Sequence, residues 1–381
     1  MMLFYDLNHF LRLSADLNYL LVVKPTNWRS VLEGVLGEHR PTAATQQILI
    51  ETMEYIDGVY GHKRRRLGAQ AIIHPLRATA LLAGSMSTIL HLDLMASLLH
   101  DRFEDFPPAS EPADFGELID APLRAILFNL PEDERWFLTE RLYWLTKQPG
   151  ESYYRYIGRM LHQARRTPEA VRVKLADRLD NTLDMRMDLK DTFNQVDFFE
   201  QLFQMMFLPS YHPYKPEVPH AVRTSMDGSE RLYQLYKNIV LISLVRQRQA
   251  AADDAISHAL FEALVRASIK EAQRIALHIF SYHQTNISRM RELVIETMIY
   301  VNEGGVDAVT APKLGKKLDG LFVEYFSVPD KKLRRKKLQE LYKDKDLMVE
   351  ASLAFIVIFY RFLDDAGYFV HGISEEGIHP E

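Results

Sequence analysis

The sequence has no cysteine among its 381 residues. That excludes a disulfide framework, a thiolate nucleophile and a sulfur-ligated metal, so any metal must sit on His, Asp and Glu. An excess of basic charge is also missing: 46 Lys and Arg stand against 51 Asp and Glu, for a net charge of −5. General nucleic-acid binders carry the opposite balance, and no nucleic-acid partner is expected. The longest apolar run, Ala351 to Tyr360, falls well short of the ~20 residues that cross a bilayer. The opening segment carries Asp6 and Asp16 and no basic start, and it does not read as a signal peptide. A cytoplasmic protein without a membrane partner is expected. Hydrophobic residues at 47% and charged residues at 25% describe an ordinary globular chain, long enough for two domains.

Alternating strand patterns and hairpin turns are scarce, and the one Asp-Gly, at 227–228, lacks flanking alternation. Helical spacing is everywhere instead. Leu92, Met95, Ala96, Leu99 and Phe103 fall on one helix face, as do Val171, Leu175, Leu179 and Leu183. The fold class is all-α. Prolines end the helix before Pro107 and fill Leu208 to His220, which reads as a linker or an active-site lid, with Tyr211, His212 and Tyr214 as surface a base could stack on. Asn302-Glu-Gly-Gly-Val-Asp is a further loop. The C-terminal half predicts helices over 232–246, 255–280, 288–301 and 347–363, and a basic helix around Lys331 to Lys337. That basic helix reads as a solvated face.

His100-Asp101 closes an apolar helix, with Glu104 and Asp105 four residues further on. One imidazole and three carboxylates so close together repel unless a cation lies among them. His74 precedes Pro75, which favours a helix start and places the imidazole at a pocket mouth; a simple helix cap is the alternative. Lys174, Asp177, Arg178 and Asn181 make a polar stripe at helical spacing, and such a stripe taken alone is usually a solvated outer face. Together, His74, His100, Asp101 and Asp177 supply two imidazoles and two carboxylates. Borderline divalent ions such as Mn²⁺, Fe²⁺, Co²⁺ and Zn²⁺ accept that set.

The pattern is similar to the HD superfamily of metal hydrolases. More closely it resembles the hydrolase domain of RelA/SpoT-type enzymes, which remove the 3′-pyrophosphate from the alarmones (p)ppGpp. Four blocks match in order: Arg65-Arg66-Leu67-Gly68 with Ile72-Ile73-His74-Pro75; Leu98-Leu99-His100-Asp101 with Glu104-Asp105; Glu151 with Tyr153-Tyr154; and Lys174-Leu175-Ala176-Asp177-Arg178-Leu179 with Asn181. Phe106 stands where the family carries threonine, and Asp180 where it carries histidine.

The resemblance implies an HD-domain helical bundle that hydrolyses a 3′-diphosphate. It implies one Mn²⁺ on His74, His100, Asp101 and Asp177, and Glu104 and Asp105 as the pair that activates water. Arg65, Arg66 and Asn181 are implied at the substrate, with Lys174 and Arg178 as secondary positions. The partner is a small-molecule nucleotide. The expected organisation is an N-terminal helical extension (1–44), the hydrolase domain (45–205), the linker or lid (206–222) and a helical region (223–381) that regulates the hydrolase or builds a homo-oligomer. No synthetase block is found. An HD phosphohydrolase for another nucleotide, or a sensor of the same fold that binds without cleaving, are the alternatives.

Overall fold

The computed structural model describes residues 6–61, 63–65, 69–106, 115–164, 168–186, 196–209, 211–214, 226–283, 286–311 and 315–379. They form an all-α protein. Its helices are α1 (Leu7–Val22), α2 (Trp28–Leu36), α3 (Ala43–Tyr60), α4 (Ile73–Gly84), α5 (His91–Leu99), α6 (Arg102–Asp105), α7 (Ala121–Phe128), α8 (Glu132–Leu145), α9 (Tyr153–Gln163) and α10 (Glu169–Asp184), followed by α11 (Phe198–Phe207), α12 (Gly228–Gln247), α13 (Ala255–Tyr282), α14 (Ile287–Asn302), α15 (Gly305–Ala308), α16 (Lys331–Lys343) and α17 (Lys345–Asp364). One two-stranded hairpin, β1 (Ile373–Ser374) with β2 (Gly377–Ile378), follows. None of the described helices is long and apolar enough to cross a membrane.

Short polar residues start the helices. Asn27, Thr42, Asp120, Ser152, Asp227 and Asp344 each accept a hydrogen bond from a backbone N–H in the first turn of the helix they precede. This satisfies donors that have no partner inside the helix. Gly37 and Gly61 end α2 and α3 at φ of +60° and +48°, where a side chain is strained.

Residues 1–183 and 249–264 form one compact unit, and 184–248 with 265–381 form a second. In the first, α4 packs on α5 and α2, α3 on α5, and α1 on α2 and α4. Residues 1–44 belong to this body. Its two central helices are α4 and α10, buried along nearly their whole length. The polar stripe of α10 therefore is not a solvated face: Lys174, Asp177 and Arg178 are buried, Asn181 is half-buried, and Asp180 beside them is buried too. In the second unit, α12 and α17 each bury most of their length; Tyr236 meets Phe322 edge-on and stacks on Phe326, and both phenylalanines meet Phe355 edge-on. The helices predicted for the C-terminal half occur as α12, α13, α14 and α17. Tyr211 is buried, with its hydroxyl donating to Gln201 Oε1 at 3.2 Å. It is no exposed stacking platform, and Ser210 and 215–220 of the proline-rich stretch lie outside the described residues.

Arg172 of α10 explains why residues 249–264 join the first unit. Its guanidinium donates to Asp93 at 2.7 Å and to both oxygens of Asp254 at 2.8 and 2.6 Å, while Asp254 also caps Ser257 at 2.8 Å. Removing one partner of such a buried pair strands the other. Arg172→Ala is therefore expected to lower urea-unfolding stability by about 3 kcal/mol or more. A loss of under about 0.5 kcal/mol, the level of a surface change, would contradict this account.

Candidate metal centre

His74, His100, Asp101 and Asp177 come together in the first unit. One donor atom from each lies within 4.8 Å of all the others. His74 stands in the first turn of α4, beside Pro75. His100 and Asp101 occupy the turn where α5 stops at Leu99 and the single turn α6 begins at Arg102. The apolar helix therefore ends one residue before His100. Asp177 comes from the middle of α10.

The two carboxylates sit between the two imidazoles. Nε2 of His74 lies 3.1 Å from Asp101 Oδ2 and 3.3 Å from Asp177 Oδ1, and Nε2 of His100 lies 3.3 Å from Asp101 Oδ1 and 3.7 Å from Asp177 Oδ1. Bonds of roughly 2.1 Å to a common ion, at octahedral or tetrahedral angles, put neighbouring donors about 3–3.5 Å apart. Each imidazole is anchored through its other nitrogen. Nδ1 of His100 donates to the Ser97 carbonyl at 2.7 Å, and Nδ1 of His74 pairs with Asp180 Oδ2 at 2.6 Å. That leaves both Nε2 atoms turned toward the centre, and His100 Nε2 is buried without a hydrogen-bond partner. An orphaned imidazole nitrogen among carboxylates is what a divalent ion satisfies, so the residues present fit a metal. Nitrogen and oxygen donors suit Mn²⁺, Fe²⁺, Co²⁺ and Zn²⁺.

The electrostatics are those of a site that attracts positive charge. Burial and Arg65 push His74 down, but Asp180, Asp101 and Asp177 outweigh them and hold it up at about 9. His100 is likewise raised against its burial by Asp101 and Asp177. Burial would raise Asp177, yet Lys174, His100 and His74 hold it well below the usual carboxylate range.

A layer of charged side chains fixes the donors. Arg77 of α4 is fully buried and grips Asp180 through Nε at 2.7 Å and Nη2 at 3.2 Å. Arg77 in turn lies over the Phe10 ring of α1, 4.7 Å from its centroid. Asp180 is held down to about 2, where burial is outweighed by Arg77 and His74. Lys174 holds Asp177 Oδ2 at 2.7 Å, and Asn181 donates to Asp177 Oδ1 at 2.5 Å. Asn181 also accepts from Arg65 at 3.3 Å. Arg178 is buried on the same helix; Arg66 lies outside the described residues.

Glu104 and Asp105 diverge. Glu104 Oε1 accepts from the Lys147 backbone N–H at 2.7 Å. Although the side chain reaches solvent, the protein around it raises its carboxyl, aided by Asp101 and opposed by Lys174. Asp105 instead pairs with Lys63 at 3.0 Å, and that ammonium lies 4.5 Å from the centre of the Phe106 ring. Glu151 is taken up by Arg159 at 2.9 and 3.0 Å.

Sequence reasoning left out Asp180, Arg77 and Lys63. A signal for the first two was present: His74 and Arg77 on one apolar helix, Asp177 and Asp180 on another, are basic and acidic pairs at the same spacing of three. Charges inside helices that are otherwise apolar need each other.

No family model matches the sequence, and no curated protein matches it.

Outer partners of a metal-binding imidazole typically account for about 10–100-fold in metal affinity. Asp180→Asn, which keeps an acceptor for Arg77 but loses the charge, should weaken Mn²⁺ binding by about that factor in isothermal titration. Wild-type affinity in this variant would show that Asp180 only fills space.

Proposed function

We propose that this chain is a divalent-metal-dependent hydrolase of 3′-pyrophosphorylated guanosine nucleotides, converting (p)ppGpp and water to GDP or GTP and pyrophosphate. The single observation behind the reading is convergence. Blocks that resemble the RelA/SpoT hydrolase in sequence order contribute donors that meet within 4.8 Å. The kinship rests on those motif blocks, and the chemistry rests on the site.

His74, His100, Asp101 and Asp177 would hold the ion. A bound Mn²⁺ supplies Lewis acidity, which acidifies water and offsets phosphate charge. Glu104 takes the proton from the attacking water. Its Oε1 is pinned by the Lys147 N–H, its second oxygen stays available, and its raised carboxyl makes it a stronger base than an ordinary glutamate. Asp105, tied to Lys63, positions the turn after α6. Arg65 and Asn181, in contact at 3.3 Å, receive the ribose and phosphates, since a guanidinium pairs phosphate oxygens two at a time. Lys174 is committed to Asp177 and acts by positioning it.

A second substrate reading has an observation of its own. Phe106 meets Tyr60 edge-on at 5.1 Å and lies under Lys63. An aromatic there, in place of the family's threonine, offers a base a different surface. Another 3′-phosphorylated nucleotide is the alternative substrate.

Incubating the Mn²⁺-loaded chain with ppGpp and with 3′-phosphorylated adenosine nucleotides separates these readings. The proposal expects GDP and pyrophosphate from ppGpp. Cleavage of the adenosine compounds alone moves the substrate, and bound but intact ppGpp makes the protein a sensor. Glu104→Gln should keep its metal and lose about 10²–10⁴-fold in kcat. Wild-type turnover in that variant would remove Glu104 as the base.

A further inference from the structure

The second unit contains a cavity of about 460 Å³ whose described lining comes from α14, the 316–318 turn and α17. Nothing in the hydrolase reading uses it. Its volume falls in the range of small-molecule sites.

Glu350 is the residue that demands an occupant. It stands in the second turn of α17, within a run of buried residues from Leu347 to Phe355. Its side chain is only 7% exposed, yet its carboxylate makes no hydrogen bond, and Oε2 is fully shielded without a partner. Native proteins rarely leave a buried acceptor unmet. Burial pushes this carboxyl up to about 7, against the opposing charge of Lys317. A donor brought into the cavity would relieve that penalty.

The rest of the lining holds one further carboxylate, Glu296, paired with Arg289 at 3.7 Å, and two exposed lysines. Lys317 is exposed and has no ion pair among the described residues, whereas its neighbour Lys316 is taken by Glu303 at 3.0 Å. Arg289 is likewise committed, to Asp346 at 3.0 Å and Glu292 at 3.1 Å. Leu318 and Tyr300, both buried, also line the cavity. The cavity thus has an unmet acceptor in its wall, apolar sides and a solvated cation, free of any ion pair among the described residues, at its surface.

We infer that this cavity binds a small zwitterion of the amino-carboxylate class, its ammonium donating to Glu350, its apolar stem against Leu318 and Tyr300, and its acidic end at Lys317. A simple amine leaves Lys317 unmet, and a simple carboxylate would be repelled by Glu350. Only a molecule with both ends satisfies both residues.

The test titrates the full-length chain with 4-aminobutanoate, 6-aminohexanoate, L-norleucine and L-lysine by isothermal calorimetry. Hexylamine and hexanoate serve as single-ended controls. None of these probes carries phosphate, and titration of the metal-free chain in chelator-treated buffer makes the result independent of the metal centre and of the hydrolase reading. At least one zwitterion is expected to saturate at one per chain, tenfold or more tighter than either control. Glu350→Gln and Lys317→Gln should each weaken it tenfold or more. Lys317 is at the surface and its replacement leaves the core intact, and circular dichroism checks the helices of both variants. Absence of saturation by every zwitterion up to about 10 mM, beyond the millimolar range of weak specific binding, overturns the inference. So does equal affinity for hexylamine, or affinity unchanged in both variants.

Discussion

Arg77, buried beneath α1, grips both oxygens of Asp180, and Asp180 holds Nδ1 of His74. The candidate metal centre depends on this relay. With Nδ1 fixed, Nε2 of His74 faces the carboxylates of Asp101 and Asp177, and the first turn of α4 is tied to the middle of α10. The same relay gives α1 a role at the site, because Phe10 covers the guanidinium and Ser14 lies 3.4 Å from it. A planar, permanently charged fork is the side chain suited to that position.

Charge balance explains how α10 tolerates so many buried ionic groups. Arg65 and Arg77 face Asp180, Lys174 faces Asp177, and His74 joins both to Asp101 in one network. Three cations thus balance three carboxylates in number, two of them by direct pairing and Asp101 through the imidazoles. A divalent ion added to neutral imidazoles would leave the pocket net positive. Such a charge balance would favour an anionic ligand.

The helices were legible because burial imprints its period on the chain, and His100-Asp101 was legible because acidic clusters at helical spacing are electrostatically expensive. Asp177 emerged only in combination with the two histidines and through the motif resemblance, not from its own stripe. What could not be read was pairing across the fold. The stripe of α10 looked like a solvent face, since spacing reports which residues share a side but not what covers that side. The grip of Arg77 on Asp180 and of Arg172 on Asp254 joins residues far apart in sequence, and no local pattern encodes such contacts. Glu350 gave a faint sign, a lone carboxylate inside an apolar helix, whose meaning depends on the cavity beside it.

The central claim is that two imidazoles and two carboxylates hold one divalent ion through the Nε2 atoms of His74 and His100. Electron spin-echo envelope modulation of the Mn²⁺-titrated wild-type chain tests it most directly, because coupling to directly bound nitrogen is read independently of any substrate. The account predicts one ion per chain with nitrogen modulation from two equivalent-range imidazoles, reduced to one in a His74→Gln chain. Mn²⁺ bound with no nitrogen coupling, or no stoichiometric binding at all, would contradict it.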